Sequence, residues 1–493
     1  MEEKVMFKEK AAHGNIGKHL QTLSAHLDCF LQFENSDAML KATSWRKELG
    51  SRIPNNGIGI DQVIEQLGTH VIPNGSQIPK PGCTSYICTG ASSIGVLANL
   101  SGAVASPQRI GLTAFNYLEE VSLNWMAEMF ELPSEMKGLY SSGGSTANLV
   151  ALGAARQKAF ESIGLDPAKD GVRKACRIYA SKYCHHTIQR SAAVLGMGRH
   201  CVKSIPVDSE GRIIPDELEK LIKEDADNNL LTIAIVANAG STSLGAIDPL
   251  EAIGKIAQEN KIWFHVDGAY GLPGILDPEI KHLYKGLSFV DSVIVDPHKW
   301  LGAPIGIGAT YVRDYGLLQR AFTQEESNYL EGSFSQDAYT NSMDSLGIPY
   351  NDFGVELSAP SRGVVVWAII KEIGVSGLRD RICRHNAMAK LIAEKAKQHP
   401  NLELMLEPTL SICCFRFISK NIVDLNQLNR KIHRRLVHNG INIPSTTEIN
   451  GNLVIRPCFI GARTGWEQAT DLIEEVIEIG TQLVDSGELN QVA

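Results

Sequence analysis

A lysine and a histidine stand side by side where a buried strand is expected to end, in the stretch VDPHKWLGAPIG at residues 295–306. Lys299 carries an amine that can bond covalently to a carbonyl compound, and the preceding His298 carries an imidazole that can exchange protons. Surface lysines usually lie among polar residues, whereas this one is followed by Trp300. A lysine that extends its ammonium from a strand end into water remains the alternative for this stretch alone.

A glycine-rich segment at residues 142–160, SGGSTANLVALGAARQKAF, begins a helical pattern with Gly143, Gly144 and Ser145. Free backbone N–H groups and the positive end of a helix can bind a phosphate group at such a point. Small residues also begin many helices that bind nothing, so this segment alone is a weak indication.

Two more reactive side-chain types follow apolar runs. His185 and His186 come after RIYAS, at a helix start where a histidine more often caps the helix or packs in a core. Asp267 comes after KIWFHV, where a lone aspartate is most often a helix cap or a turn former. Ligands of open parallel sheets bind beyond the carboxyl ends of the strands, which is where these residues are expected.

One ligand accounts for the glycine-rich helix start, the histidine, the aspartate and the lysine in this order. Pyridoxal 5'-phosphate (PLP) needs a phosphate cradle, an imidazole or aromatic face against its ring, and a carboxylate that keeps its pyridine nitrogen protonated. It also needs a lysine that holds its aldehyde as a Schiff base. The alternative is four independent coincidences, so the set predicts a PLP-dependent enzyme.

The elements that carry these residues alternate between short apolar runs and amphipathic helices from about residue 90 to 370. The runs TIAIVANA, KIWFHVD and DSVIVD predict parallel strands covered by helices. Two helical segments begin with a proline near their first turn, and Asp248 can cap the second of them. We expect an N-terminal helical and loop segment at 1–90, a large α/β domain with a mostly parallel sheet at 91–370, and a small α+β domain at 371–493.

Composition excludes several classes of function. The formal net charge of −8 on 493 residues offers no basic surface for nucleic acid. The N-terminal stretch MEEKVMFKEKAAHG lacks the apolar core of a signal peptide, and the apolar runs are too short to span a membrane. Ten cysteines without paired CxxC spacing indicate reduced, mostly buried thiols. We expect a soluble cytoplasmic protein with neither a metal site nor a disulfide framework.

The motifs HVDGAYG and DPHKW, in this order and spacing, resemble those of the group II PLP-dependent amino acid decarboxylases. That family includes aromatic-L-amino-acid, histidine and glutamate decarboxylases, and the resemblance runs from about residue 70 to 380. It implies the aspartate-aminotransferase-like fold (type I), with a large cofactor domain and a small C-terminal domain. It also implies an obligate homodimer with the active site at the interface, and removal of carbon dioxide from an L-amino acid.

The resemblance also implies a role for individual residues. Lys299 falls on the Schiff-base lysine, Asp267 on the aspartate of the pyridine nitrogen, and Ala269 on the alanine beneath the ring. His186, rather than His185, falls on the ring-stacking histidine, from its spacing to the following T-I-Q-R. The remaining cofactor-side positions are Gly144 and Ser145 at the phosphate, Thr242 in ANAGSTSLGAIDPL, and His298 beside the lysine.

Two segments bear on the substrate and on the proton donor. The family's aromatic members have an aromatic pair followed by proline in the substrate-side loop, whereas residues 86–89 here are YICT, so the substrate stays open. The segment MDSLGIPYNDFGVELSAPSRG aligns Tyr350 with the tyrosine of the family's mobile catalytic loop, with Arg362 in place of a basic pair. Tyr350 is therefore expected to protonate the substrate carbon after carbon dioxide leaves, and ordinary packing of this tyrosine is the alternative.

Two other functions remain open at this point. PLP-dependent carbon–carbon lyases that act on phosphorylated long-chain amines share the fold and a related lysine motif. They usually carry a membrane anchor, and none is visible in this sequence. A catalytically inactive homologue that serves as a binding protein is the second alternative, and the presence of Lys299, Asp267 and His186 argues against it.

Overall fold

The computed structural model describes residues 16–33, 44–50, 53–109, 113–323, 348 and 350–486. Its strands form two sheets and are numbered here along the chain. They are β1 Cys83–Thr84, β2 Lys137–Ser141, β3 Cys176–Ser181, β4 Val202–Ile205, β5 Leu231–Asn238, β6 Trp263–Asp267, β7 Ser292–Val295, β8 Gly308–Val312, β9 Leu402–Leu406, β10 Cys414–Phe417, β11 Ile443–Ile449 and β12 Asn452–Arg456.

The larger sheet has seven strands in the order β2-β8-β7-β6-β5-β3-β4. Strand β8 runs antiparallel to its neighbours β2 and β7, and the other neighbouring pairs are parallel. Every residue of β6 and β7 is buried, which explains why these strands are continuous apolar runs rather than alternating patterns. The predicted α/β fold with a mostly parallel sheet is confirmed.

Helices surround the sheet and build the rest of the molecule. Within the described ranges, none of them combines the length and the apolar content needed to cross a lipid bilayer. The α-helices are Ile16–Phe30, Ser44–Leu49, Ile60–Gln66, Ser93–Ala105, Ala114–Met129, Gly144–Glu161, Pro167–Asp170, Thr187–Val194, Pro215–Asp227, Leu250–Glu259, Gly316–Phe322, Gly363–Gln398, Leu425–Asn439 and Trp466–Asp485.

The smaller sheet joins the two ends of the chain. Its order is β1-β11-β12-β10-β9, so the short β1 from the N-terminal segment pairs in parallel with β11 near the C-terminus. The boundary expected at residue 370 falls inside the helix Gly363–Gln398. That helix is interrupted at Gly374, four residues after the expected boundary. The φ of Gly374, 63°, lies in the left-handed region that glycine adopts readily.

Asp248 does not cap the helix that follows it, contrary to the expectation from the sequence. Its buried carboxylate accepts hydrogen bonds from the backbone N–H of Ile213 at 2.7 Å and of Asn238 at 2.6 Å, so it faces away from that helix. Burial raises the pKa of Asp248 to about 7. The carboxylate therefore fixes the end of β5, where Asn238 reaches the cavity described next.

Candidate active site

A cavity of about 390 Å³ lies at the edge of the larger sheet where the parallel strands β2, β3, β5, β6 and β7 end. The residues that follow these strands form most of its wall, because the carboxyl ends of parallel strands meet at one edge. The sequence-predicted residues that line it are Gly144, Ser145, Thr242, Asp267, Ala269, His298 and Lys299. The two predicted residues that do not line it are His186 and Tyr350.

A glycine turn after β2 forms one side of the cavity. Gly143 has φ 120°, which favours glycine, and Gly144 begins the helix that ends at Glu161. A Cβ atom on Gly144 would lie only 2.6 Å from Oδ2 of Asp296, so only glycine allows this close approach. The N–H groups of the first helical turn have no helical acceptor and border the cavity, which is the arrangement that binds phosphate.

Asp267 ends β6 and is held by two N–H donors. The side-chain amide of Asn148 donates to its Oδ2 at 3.0 Å, and the backbone N–H of Ala269 donates to its Oδ1 at 3.1 Å. The carboxylate is 7% exposed and lines the cavity with Ala269. It is therefore a buried, oriented negative group, as a protonated ring nitrogen would require.

The structure brings His185, and not His186, to the cavity. Nδ1 of His185 lies 2.8 Å from the hydroxyl oxygen of Thr187, which turns the ring toward the sheet edge, and burial lowers its pKa. The side chain of His186 is exposed, and its ring packs on that of His185 with 4.1 Å between centroids. The structure therefore does not bring His186, which the sequence favoured for the ring-stacking role, to the cavity, because only one of the two consecutive side chains faces it.

Lys299 lies in the turn after β7, and its neighbour Trp300 anchors that turn in the core. The buried indole of Trp300 stacks on the ring of Tyr270, with 5.2 Å between centroids, and donates its N–H to Nδ1 of His385 at 3.0 Å. These contacts explain the order of residues in the motif: the tryptophan fixes the backbone while the preceding lysine reaches into the cavity.

Asp296, just before the lysine in this turn, is a cavity residue that the sequence did not single out. Its Oδ2 lies 3.2 Å from Nζ of Lys299 and 3.7 Å from Nε2 of His298. Its Oδ1 is buried without a hydrogen-bond partner among the described residues. Burial raises the pKa of Asp296, and the charge of Lys299 opposes that change.

His298 is fixed by a backbone carbonyl. Its Nδ1 lies 2.6 Å from the carbonyl oxygen of Ile307, which only accepts, so Nδ1 carries a proton and donates. Burial lowers the pKa of His298, which favours the neutral ring with its lone pair on Nε2.

Thr242 reaches the cavity from the loop after β5 and is held by Arg456 of the small sheet. The buried guanidinium of Arg456 donates to the carbonyl oxygens of Thr242, of Ser243 at 3.2 Å and of Tyr86 at 2.7 Å. One cation therefore joins the N-terminal segment, the large sheet and the small sheet beside the cavity.

Tyr350 lies away from the cavity, in the apolar core. It is 2% exposed and belongs to the same apolar cluster as Tyr140 and Tyr311. Burial raises the pKa of its phenol well above the ordinary value. In its described position Tyr350 therefore does not reach the cavity in which it was expected to donate a proton, and most of the segment before it lies outside the described residues.

Taken together, the cavity residues fit PLP. The glycine turn offers backbone N–H groups to a phosphate, Asp267 offers a carboxylate to a ring nitrogen, and Lys299 offers an amine to an aldehyde. The unpartnered Oδ1 of Asp296 shows that the wall has unused hydrogen-bonding capacity beside the glycine turn.

Comparisons with known proteins agree with this geometry. The family model described as "Pyridoxal-dependent decarboxylase conserved domain" matches residues 44–418. The aromatic-L-amino-acid decarboxylase of Bacillus atrophaeus is 29% identical over 437 residues, which cover 87% of this chain and 88% of that protein. The acidic amino acid decarboxylase GADL1 of Xenopus tropicalis is 30% identical over 409 residues, which cover 80% of this chain and 77% of that protein.

The fold is also found in solved structures. A crystal structure of Oryza sativa TDC with PLP and tryptamine superimposes with a TM-score of 0.87 at 23% sequence identity. The superposition covers 95% of this chain and 98% of that one.

Proposed function

The chain belongs to the pyridoxal-dependent decarboxylases, and on that premise we propose how its own residues release carbon dioxide from an L-amino acid. When bound, PLP supplies an electron-withdrawing ring that accepts the electron pair left by the departing carbon dioxide. One observation carries the assignment of roles: Lys299, Asp267 and the glycine turn at residues 143–145 line a single cavity.

Lys299 is proposed to bind the cofactor covalently through Nζ and to give way to the substrate amine. The side-chain amine of Lys299 attacks a carbonyl carbon only in its neutral form, so its ammonium must first lose a proton. Oδ2 of Asp296, 3.2 Å from Nζ, is placed to accept that proton. The same carboxylate holds the lysine toward the cavity before the cofactor arrives.

Asp267 is proposed to keep the ring nitrogen of the cofactor protonated. Its two N–H donors, on Asn148 and Ala269, hold the carboxylate in one orientation at the end of β6. A charge-assisted hydrogen bond to the ring N–H stabilises the charge that develops when the bond to the carboxylate breaks. Ala269 lines the cavity beside it and leaves room for a flat ring.

His185 is proposed to lie against the cofactor ring and to contact the substrate carboxylate. Orientation determines which bond breaks, because the bond perpendicular to the ring plane is the one that the ring assists. A fixed imidazole on this side of the cavity therefore favours loss of carbon dioxide over loss of the α-proton.

The substrate is proposed to be an amino acid with an aromatic or otherwise uncharged side chain. The relatives are named for aromatic and for acidic amino acids, so both classes are candidates. Among the described residues of the wall, Lys299 is the only lysine or arginine, and its charge is paired with Asp296. No second cation of that kind is described there to pair with a side-chain carboxylate, which favours the uncharged class.

A cytoplasmic homodimer is proposed as the working assembly. The helix Ser93–Ala105 follows Ser92, whose N–H donates to the carbonyl of Gly302 near Lys299. It exposes Val96, Leu97 and Val104 by 47%, 59% and 59%, and Tyr117 of the next helix is 61% exposed. A second copy that covers these side chains would remove the apolar surface from water. The ten unpaired thiols fit a reducing compartment. Light scattering tests the dimer, and cell fractionation tests the compartment.

The decisive experiment is a screen of the common L-amino acids for carbon dioxide release by the purified, PLP-loaded protein. Carbon dioxide and amine in equal amounts from one substrate support the proposal. Aldehyde from a phosphorylated long-chain amine without carbon dioxide would identify a carbon–carbon lyase instead. Bound cofactor without turnover of any substrate would identify an inactive homologue.

A further inference from the structure

Five buried side chains form a continuous line of hydrogen bonds behind the cavity. Nε1 of Trp263 lies 2.7 Å from Oγ of Ser292, which lies 2.8 Å from Nδ1 of His265. Nε2 of His265 lies 2.8 Å from Oδ1 of Asn148, and the amide nitrogen of Asn148 lies 3.0 Å from Oδ2 of Asp267. Each of these side chains is at most 7% exposed.

The chemistry of the groups at the two ends limits the directions of the bonds between them. The indole N–H of Trp263 can only donate, and the ionised carboxylate of Asp267 can only accept. Asn148 must therefore turn its amide group to the carboxylate and its carbonyl oxygen to the imidazole. It follows that Nε2 of His265 carries a proton and donates.

The ring of His265 is neutral and carries that single proton. Burial lowers its pKa to about 4, and the ring is fully buried. Its Nδ1 is consequently a bare nitrogen that accepts the hydroxyl proton of Ser292, while the oxygen of that hydroxyl accepts from the indole. The bonds from Trp263 to Asp267 then agree in direction, with no donor facing a donor.

A branch of this line reaches the histidine of the cavity. The amide group of Asn148 has a second N–H, and it donates to Oγ1 of Thr187 at 3.1 Å. The hydroxyl proton of Thr187 is then free for Nδ1 of His185, 2.8 Å away. The backbone N–H of Thr187 points to the same nitrogen at 3.4 Å, a longer and weaker contact that agrees with a lone pair there.

We propose that Asn148 and Thr187 are positioning residues that place the ring proton of His185 on Nε2. With Nδ1 occupied by Thr187, Nε2 is the nitrogen with which the ring reaches a ligand. The nitrogen of His185 that faces the cavity is therefore an N–H donor and carries no free lone pair. Such a donor suits an anionic oxygen, and it cannot act as a base toward the α-proton. That role toward the substrate rests on the proposed function, whereas the position of the proton does not.

The test is the protonation of each ring nitrogen of His185, read from long-range 1H–15N spectra of the purified protein labelled with 15N-histidine. The spectrum of His185→Gln identifies its signals by their loss. The expected result is a protonated Nε2 and a bare Nδ1 at neutral pH. A proton on Nδ1, or on both nitrogens, overturns the proposal whether or not the protein decarboxylates any amino acid.

Two substitutions at one position test the cause. Thr187→Val removes the hydroxyl and keeps the shape, so part of the population of His185 should move its proton to Nδ1. Thr187→Ser restores the hydroxyl and should restore the wild-type signals. Thr84→Val is the matched control, because Thr84 is 3% exposed and its hydroxyl has no hydrogen-bond partner among the described residues. Unchanged His185 signals in Thr187→Val overturn the proposal.

Discussion

Nζ of Lys299 lies 3.2 Å from Oδ2 of Asp296, so the amine that lines the cavity pairs with a buried carboxylate of the same turn. The carboxylate is 2% exposed, and no other cation among the described residues lies as close to it. Separating such a pair is costly, because the buried carboxylate that remains loses its partner. The state of Asp296 must therefore change whenever Lys299 becomes neutral.

Replacing the lysine tests its bond to the cofactor. The PLP-loaded protein should be yellow, and borohydride should abolish the absorbance band and fix the cofactor to the peptide that contains Lys299. Lys299→Ala should lose that covalent label, while Lys182→Ala, at an exposed lysine, should keep it. A label that persists in Lys299→Ala, traced by mass spectrometry, would show that another amine holds the cofactor.

Asp296 should make binding of the cofactor phosphate depend on pH. A phosphate at the glycine turn brings negative charge near this carboxylate, so the pKa of Asp296, already raised by burial, should rise further in the complex. A group whose pKa rises on binding takes up a proton. The affinity should therefore be higher at low pH and should fall as the pH rises through the pKa of Asp296.

The Lys299→Ala background isolates this effect, because it removes the pH dependence of the covalent bond. PLP titrations should show a steeper loss of affinity with rising pH in Lys299→Ala than in Lys299→Ala/Asp296→Asn. The ionisation of the phosphate itself is common to both proteins. Equal slopes in the two proteins would show that Asp296 takes up no proton.

Asp267→Asn keeps the shape of the side chain and removes its charge. The ring nitrogen of the cofactor then loses the carboxylate that keeps it protonated, so turnover should fall by roughly two to three orders of magnitude while cofactor stays partly bound. Asp277→Asn is a suitable control, because Asp277 is 4% exposed and bonds Asn386 outside the cavity. Near-normal turnover in Asp267→Asn would show that the reaction does not need the charge of this carboxylate.

The sequence predicted the residues at strand ends well, for a physical reason. Apolar runs identify buried parallel strands, and the polar residue that follows each run, such as Asp267 or Lys299, must lie at one edge of the sheet. The sequence could not predict whether His185 or His186 lines the cavity, because helix periodicity does not say which of two consecutive residues in a turn faces the strand ends.

Asn148 and Asp296 were missed for different reasons. Asn148 lies one helical turn after Gly144, inside an apolar helix, and its importance depends on His265 and Asp267 of a strand more than a hundred residues later. Asp296 stands in the quoted motif, but only the structure shows its carboxylate beside both the glycine turn and the lysine. Contacts between distant segments carry this information, and a single sequence does not display them.

Tyr350→Phe should leave the chemistry unchanged. The phenol is buried in the core and does not line the cavity, so removing its hydroxyl should give amine and carbon dioxide in the wild-type ratio and at the wild-type rate. The measurement is product analysis, with carbon dioxide counted alongside amine. Aldehyde or ammonia from this variant would show that Tyr350 reaches the reacting carbon.

The two adjacent histidines provide a matched pair of substitutions. His185 lines the cavity and is fixed by Thr187, whereas the side chain of His186 is exposed. His185→Gln should lower kcat/KM by about a hundredfold, the typical loss when a preorganised hydrogen-bond donor to a charged oxygen is removed. It should also shift the absorbance of the bound cofactor, because the environment of the ring changes.

His186→Gln should change both readouts little, because it removes an exposed ring that packs on His185 and does not line the cavity. The two variants replace the same residue type at neighbouring positions, so a general effect on folding should appear in both. A loss confined to His185→Gln therefore identifies the imidazole that faces the cofactor. A loss confined to His186→Gln would reverse the assignment and return the ring-stacking role to the residue that the sequence favoured.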